Sequence, residues 1–544
     1  MDGEGKYNEP YPVEGIDLEE KGTPIQGGGI IEGVIASGDT EDPHMHRVLK
    51  GRQVSMIAIA GTIGTGLFLG SGKALANGGP VGALLGYLLV GLLVGCMMFA
   101  LGEMMVYDPS ASGFIEFSAR YIDPAAGFAM GWQFWFQAAM TAATEIVAAS
   151  IVIQYWDHNS NHLAIYVTVL LLGIVLINSA GVKYFGEFEF WFAFIKIITV
   201  IGLLILCLII DLGGAPDHDR RGFRYWNQEP FNNTYLGLEP APKARFLGFW
   251  AVLTQASFSY GGMESLASIC LEAENPRKTM RTAVRAIFYR IVVLYVLAVF
   301  FIGICVSRSD PALLQANKVA SGTAAQSPFV IAINSARIKV LPSIINAVVL
   351  TSAFSTGNEY LYASSRSLFM LAQQGQAPRI FCRVLKNGVP IYALAVTALL
   401  ALLAYLNCSS SAETAFNWLS NITTLGSQIT WIGVAIAWIR FNKAMKRQGV
   451  PRSVLPFKTW IMPYGAWAVV VSFSIIIFFA GWTDLKPFDA SDFFSTYVNI
   501  AFFFVMYAGW KIYKKTKMVS LDEMDVSTHY VEGSVVVSRF AKGL

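Results

Sequence analysis

Apolar residues in this chain come in long unbroken runs, not in the alternation of a half-buried strand. Runs of about 17 to 25 residues recur, each long enough to cross a hydrocarbon layer about 30 Å thick as a helix. They fall at 54–76, 81–106, 125–155, 163–180, 188–210, 246–270, 287–306, 341–373, 391–406, 415–439, 460–480 and 493–510. The pattern predicts an all-α polytopic membrane protein of about twelve transmembrane helices. Residues 1–50 are Gly-rich and acidic without the apolar core of a signal peptide, and read as a disordered cytoplasmic tail; 514–544 reads as a second, polar tail. Between them, 51–513 forms the membrane domain. No large soluble segment is left to act on a water-soluble substrate or to bind nucleic acid, which argues against an enzyme.

Two runs carry their weakest point in the middle. IAIAGTIGTGLFLGSG has glycines at 61, 64, 66, 70 and 72, and each glycine inside a helix costs about 1 kcal/mol relative to alanine. At 1.5 Å per residue, GTIGTG lies near mid-bilayer. A phosphate-cradling loop needs a preceding strand and an exposed helix, which a membrane span does not supply; close helix packing on small residues is the competing explanation. The second interruption is SFSYGGMES at 257–265, in the sixth run. Two broken spans five apart point to an inverted repeat, with copies at 51–213 and 246–442, extra helices at 459–513, and a substrate site between the breaks. A broken helix exposes N–H groups at its new amino end and C=O groups at its carboxyl end. The amides of Gly64, Thr65 and Gly66 suit a carboxylate, and carbonyls near Phe258 and Ser259 suit an ammonium. A molecule with both, close together, is an α-amino acid.

Charge fixes the expected orientation. Charged residues make up 14% of the chain, well under the roughly 25% of soluble proteins. Most of the 40 Lys and Arg residues fall on one side if the amino terminus is cytoplasmic, with dense clusters at 277–285, 440–458 and 511–517. Both termini are then inside. Sequons at Asn232 and Asn407 fall in expected outer loops and are candidate glycosylation sites; Asn421 lies within a span. Cys408 alone is outside, with no disulfide partner, and the six histidines lie outside the spans; no metal site is expected.

The chain resembles the fungal amino acid permeases, the yeast amino acid transporter family of the amino acid-polyamine-organocation superfamily. The resemblance runs over 46–517: GTIGTGLFLGSG, GGPVGALLGYLLVG with ALGEMMVYDPS, EIVAASIVIQYW, FGEFEFWFAFIKIITVIG, FSYGGMES with EAENPRK, SPFVIAI, LPSIINAVVLTSAFSTGN, and AFNWLSNITTLGSQITW, in this order. It implies a LeuT-like fold of twelve spans and proton-driven amino acid uptake at the plasma membrane, without a cofactor. It also implies a site formed by Thr62, Ile63, Gly64, Thr65, Gly66, Glu145, Phe258, Ser259, Tyr260, Gly261 and Glu264.

Charges inside the membrane cost at least about 2.5–3.5 kcal/mol and are functional candidates by default. Glu145 is read as a site-lining group that touches substrate or carries the coupled proton, against a carboxylate merely bonded into the bundle. The resemblance implies that Lys196 reaches the first break, in the place a sodium ion takes in related carriers, and changes protonation during transport; the competing reading is a lysine snorkelling to the interface. Glu264 follows the second break as a gating, coupling or substrate-contact group, or as a structural cap. Glu103, Glu272 and Glu274 are expected to stabilise gates and loops against cytoplasmic Arg and Lys, and Glu359 with Arg366 to form a structural ion pair. Thr141, Thr144, Phe258, Ser355, Asn358, Trp418 and Ser427 are the expected specificity pocket. No further ion is presented to a basic or an acidic side chain, so neutral amino acids are expected. An amino acid-sensing receptor and a polyamine or choline carrier are the rivals; short tails disfavour the first, and the amide cluster at 64–66 would be idle in the second. Trafficking adaptors or a ubiquitin ligase are the expected partners of the tails. The ending SRFAKGL departs from the aromatic-Cys ending of many family members, which leaves tail palmitoylation open.

Overall fold

The structure, a computed structural model, describes residues 51–57, 63–108, 113–267, 276–318, 327–409, 412–485 and 488–526. Thr62, Glu272 and Glu274 lie outside the described residues, as do 1–50 and 527–544. The regular elements described are helical. A short α1 (Gly51–Met56) precedes the first glycine cluster. After it a π-helical turn, Gly66–Gly70, runs into α2 (Ser71–Tyr107). Within α2 the backbone at Gly79 turns to φ 73° and ψ 173°, ahead of Pro80, and the helix kinks there. A positive φ favours glycine, and proline cannot continue the helical ladder. The Val81 N–H past the kink is taken up by Pro230 O at 3.0 Å.

Next come α3 (Phe114–Tyr121), α4 (Pro124–Ile153), α5 (Leu163–Ser179) and α6 (Val182–Asp211). At the start of α4, Asp123 accepts the Ala125 N–H at 2.9 Å, with proline in the first turn. After a long loop, α7 (Ala241–Tyr260) leads to the second glycine pair. Then follow α8 (Pro276–Tyr289), joined by a π-helical stretch to α9 (Leu297–Cys305), and α10 (Leu341–Gln373), α11 (Ile391–Ala401), α12 (Ala412–Arg447), α13 (Tyr464–Phe478) and α14 (Ala490–Lys514).

Among the described residues, seven helices are long and apolar enough to cross a membrane. They divide by burial: 89% of the most apolar window of α4 is covered by protein, against 39% for α6 and 17% for α14. The outer helices present Leu172, Ile198, Ile205, Val471 and Phe504 outward, as lipid contact requires. At the centre, α4 packs along α10 and α12, and α2 along α7. Helix α10 carries Glu359, Arg366 and many hydroxyls, yet its residues from Ser355 to Ala372 are buried. Its polarity is explained by protein on every side.

One end of the bundle is fastened by polar groups. Buried Glu103, near the end of α2, accepts from Arg452 Nη2 at 2.7 and 3.0 Å, from the Thr459 N–H at 2.7 Å and from Trp438 Nε1 at 3.0 Å. The segment past α14 packs back as well: Val526 O accepts the Tyr107 hydroxyl at 2.6 Å, and Met524 O accepts Gln448 Nε2 at 2.7 Å.

Candidate functional site

Both glycine clusters interrupt their helices. At the first, Ile63 and Gly64 are outside any helix before the turn that begins at Gly66. At the second, α7 stops at Tyr260; Gly261 is extended, with φ −53° and ψ 150°, and Gly262 takes φ 87°. That left-handed backbone is the reason a glycine sits at 262. The interruptions touch. Ser259 Oγ donates to Gly66 O at 2.7 Å, and a Cβ at Gly66 would stand 2.7 Å from Ser259 Cα.

A small polar cavity opens where they meet. It is lined by Gly64 and Gly66, by Thr141 and Glu145 of α4, by Phe258, Ser259 and Gly261, by Thr356 and Tyr360 of α10, and by Thr423, Thr424 and Ser427 of α12. Glu145 is buried, and its carboxylate accepts the Thr65 N–H at 3.3 Å from each oxygen and the Thr65 hydroxyl at 3.2 Å. Gly64 is packed against the same carboxylate, where a Cβ would collide with Oε1. The amino end of the broken helix is therefore already holding a carboxylate, in agreement with the charge preference of such an end.

The carboxyl side of the first break is clamped by α10. Ile63 O accepts the Ser352 hydroxyl at 2.7 Å and the Thr356 hydroxyl at 3.1 Å. Lys196, also buried, donates from Nζ to Thr356 Oγ1 at 3.2 Å, one hydroxyl away from the break. Glu189, Glu359 and Glu145 all act on it electrostatically, as does Arg290.

The remaining expected residues are distributed around this centre. Ser427 lines the cavity and donates to Glu264 Oε1 at 3.0 Å; Glu264 lies behind it and also accepts from Trp431 Nε1 at 2.9 Å. The Tyr260 hydroxyl points to Tyr87 O, 3.0 Å away. Thr144 donates to its own helix at Met140 O, 2.8 Å, and does not line the cavity. Ser355 and Asn358 turn to Glu189, each at 2.7 Å, and Trp418 donates to Asp492 at 2.8 Å. Glu359 and Arg366 do not form the expected ion pair. They lie seven residues apart, about 10.5 Å along a helix, and each has a nearer partner: Glu359 accepts from Ser265 at 3.1 Å, while Arg366 lies 3.8 Å over the Tyr362 ring. Both sequon amides face inward. Asn232 is 7% exposed and donates to Ala76 O at 3.1 Å; Asn407 is 2% exposed and donates to Ser150 at 2.7 Å.

Glu189 is the residue sequence reasoning missed. It is fully buried on α6, seven residues before Lys196 and so on nearly the same helix face, which was the available signal. Thr356, Tyr360, Thr423 and Thr424 were also missed, because their placement depends on how α10 and α12 turn toward the breaks. A second, larger cavity shares Phe258 and Thr424 with the small one and is lined further by Lys73, Trp250, Asn417, Asp484 and Asp492. Phe258 meets Phe416 edge-on there, with ring centroids 5.8 Å apart.

A helical multi-pass membrane protein with a polar cavity where two helices break has the form of a membrane carrier. The family model for amino acid permeases matches residues 53–523, and the chain belongs to that family. It is 40% identical to the dicarboxylic amino acid permease of Saccharomyces cerevisiae, over 91% of this chain and 81% of that protein. It is 39% identical to the lysine-specific permease of the same yeast, over 91% and 80%. With the proline-specific permease of Emericella nidulans it shares 38% identity, over 95% and 94%.

Proposed function

We propose that the chain imports L-amino acids across the plasma membrane by proton symport, alternating access to the cavity between the two breaks. In this reading twelve helices span the membrane, the first ten form two inverted repeats, and both termini are cytoplasmic. The observation that carries it is the pair of donors on Thr65. Its N–H and hydroxyl both point at one carboxylate, now that of Glu145, and a substrate carboxylate would take the same place. The substrate ammonium would lie toward the carbonyl end of α7, at Phe258 and Ser259.

That exchange supplies a reason for coupling. Two carboxylates at one helix end repel each other, so an arriving amino acid favours a protonated Glu145. Lys196 bears on the same place through Thr356 and Ile63 O, so its charge bears on the shape of the first break. The relatives are named for acidic, basic and cyclic amino acids at similar identity, which supports a shared amino acid scaffold with the side chain read separately. Uptake of labelled amino acids into permease-deficient yeast expressing the chain, with and without a protonophore, tests the reading. Uptake that collapses with the gradient is expected. Uptake indifferent to the protonophore would count against symport, and none at all, with the protein at the surface, against transport.

A further inference from the structure

Besides the two breaks, the cavity is walled on α4 and α12 by four hydroxyls whose protons are already committed. Thr141 donates to Gln137 O at 2.9 Å, Thr423 to Ser420 O at 2.9 Å and Thr424 to the same carbonyl at 2.6 Å. Ser427 donates to Glu264 and accepts from Gln137 Nε2 at 2.9 Å. A carbonyl can only accept, so each threonine has given its single proton to its own helix and has only lone pairs left to offer a ligand. No Lys, Arg or His is among the described lining residues, and the lining carboxylate, Glu145, is turned to Thr65. Tyr360 adds one donor. Its hydroxyl makes no hydrogen bond among the described residues, and it and the Ser427 oxygen stand 3.6 and 3.5 Å from where a Cβ on Gly261 would be.

We infer that this wall selects amino acids whose side chain is neutral and carries a hydrogen-bond donor, a hydroxyl or a carboxamide. The inference rests on the amino acid transport reading above. An acidic side chain would bring lone pairs against lone pairs, with no cation in the described lining to compensate. A basic one would meet neutral oxygens, since Glu145 is protonated once the substrate carboxylate takes its place at Thr65, and Glu264 lies behind Ser427 with its oxygens already taken by Ser427 and Trp431; a desolvated charge without a counter-charge is costly. An apolar side chain would strip water from the threonine oxygens and give nothing back. A carboxamide fits most fully, its NH₂ meeting the threonine oxygens and its C=O accepting from Tyr360.

Isosteric pairs test this in permease-deficient yeast expressing the full chain: asparagine against aspartate, and threonine against valine. The expected kcat/KM ratios are about tenfold or more in favour of the donor-bearing member of each pair. Thr424→Val should shrink the threonine-to-valine ratio toward one while valine still enters, and Thr424→Ser should restore it. Aspartate or valine entering the wild type as well as its partner overturns the inference. So does a ratio that Thr424→Val and Thr141→Val both leave unmoved while valine uptake persists. If no amino acid of any class enters cells that carry the protein at their surface, the transport reading itself fails.

Discussion

Thr65 offers two donors to one carboxylate, and the strength of that grip sets what a substrate can gain there. A hydrogen bond to a charged group contributes about 1.5–3 kcal/mol. Thr65→Val keeps the shape and removes the hydroxyl donor, so KM for uptake should rise roughly ten- to hundredfold with surface level unchanged; an unaltered KM would remove Thr65 from the site. Lys196 tests the other half of the residue-scale account. Its ammonium bonds Thr356 amid three buried carboxylates, and Lys196→Ala should abolish accumulation against a concentration gradient even where some downhill uptake survives. Wild-type accumulation in that variant would refute its coupling role. Glu145 and Lys196 could be read from sequence because a charge in an apolar run is conspicuous. Glu189 carried the same signal, one residue inside the fifth run, but its role rests on Ser355 and Asn358 of α10, and Asn358 is in turn held by Asn178 of α5 at 2.8 Å.

Among the elements, the two broken segments depend on touching. The Cβ of Gly66→Ala would press on the Ser259 backbone at 2.7 and 3.2 Å, where nothing flexible can yield. Uptake should fall by an order of magnitude or more, since a displacement of about 1 Å at a site can cost a hundredfold. Gly202→Ala, on α6 with open space around it, is the matched control and should transport normally; equal behaviour of the two would deny the contact its importance. The Glu103 cluster joins α2 to α12 and to the loop before α13. Arg452→Ala leaves Glu103 buried with its charge partner gone, a loss of about 2–4 kcal/mol, read as a lower melting temperature in detergent. An unchanged melting temperature would show the cluster to be dispensable. Glycine patterns announced the two breaks, because a backbone that must leave the helix needs glycine or proline. The sides of α10 and α12 were less legible. Ser355, Asn358 and Trp418 sit on helices buried by several neighbours, and the face each turns to the cavity is decided by packing.

At the scale of the whole molecule, the apolar runs were legible because lipid imposes one requirement on every outer helix. The buried helices α4 and α10 are less constrained by lipid and carry the polar groups that make the cavity. In the proposed function, a proton gradient drives an amino acid into the cavity at the two breaks. Purified protein in sealed liposomes, given an imposed inward proton gradient and the labelled amino acid that cells take up best, tests it directly. The account predicts transient accumulation above the outside concentration, abolished by a proton ionophore and absent with Lys196→Ala. Equilibration that never exceeds the outside concentration, or accumulation that ignores the ionophore, would contradict it.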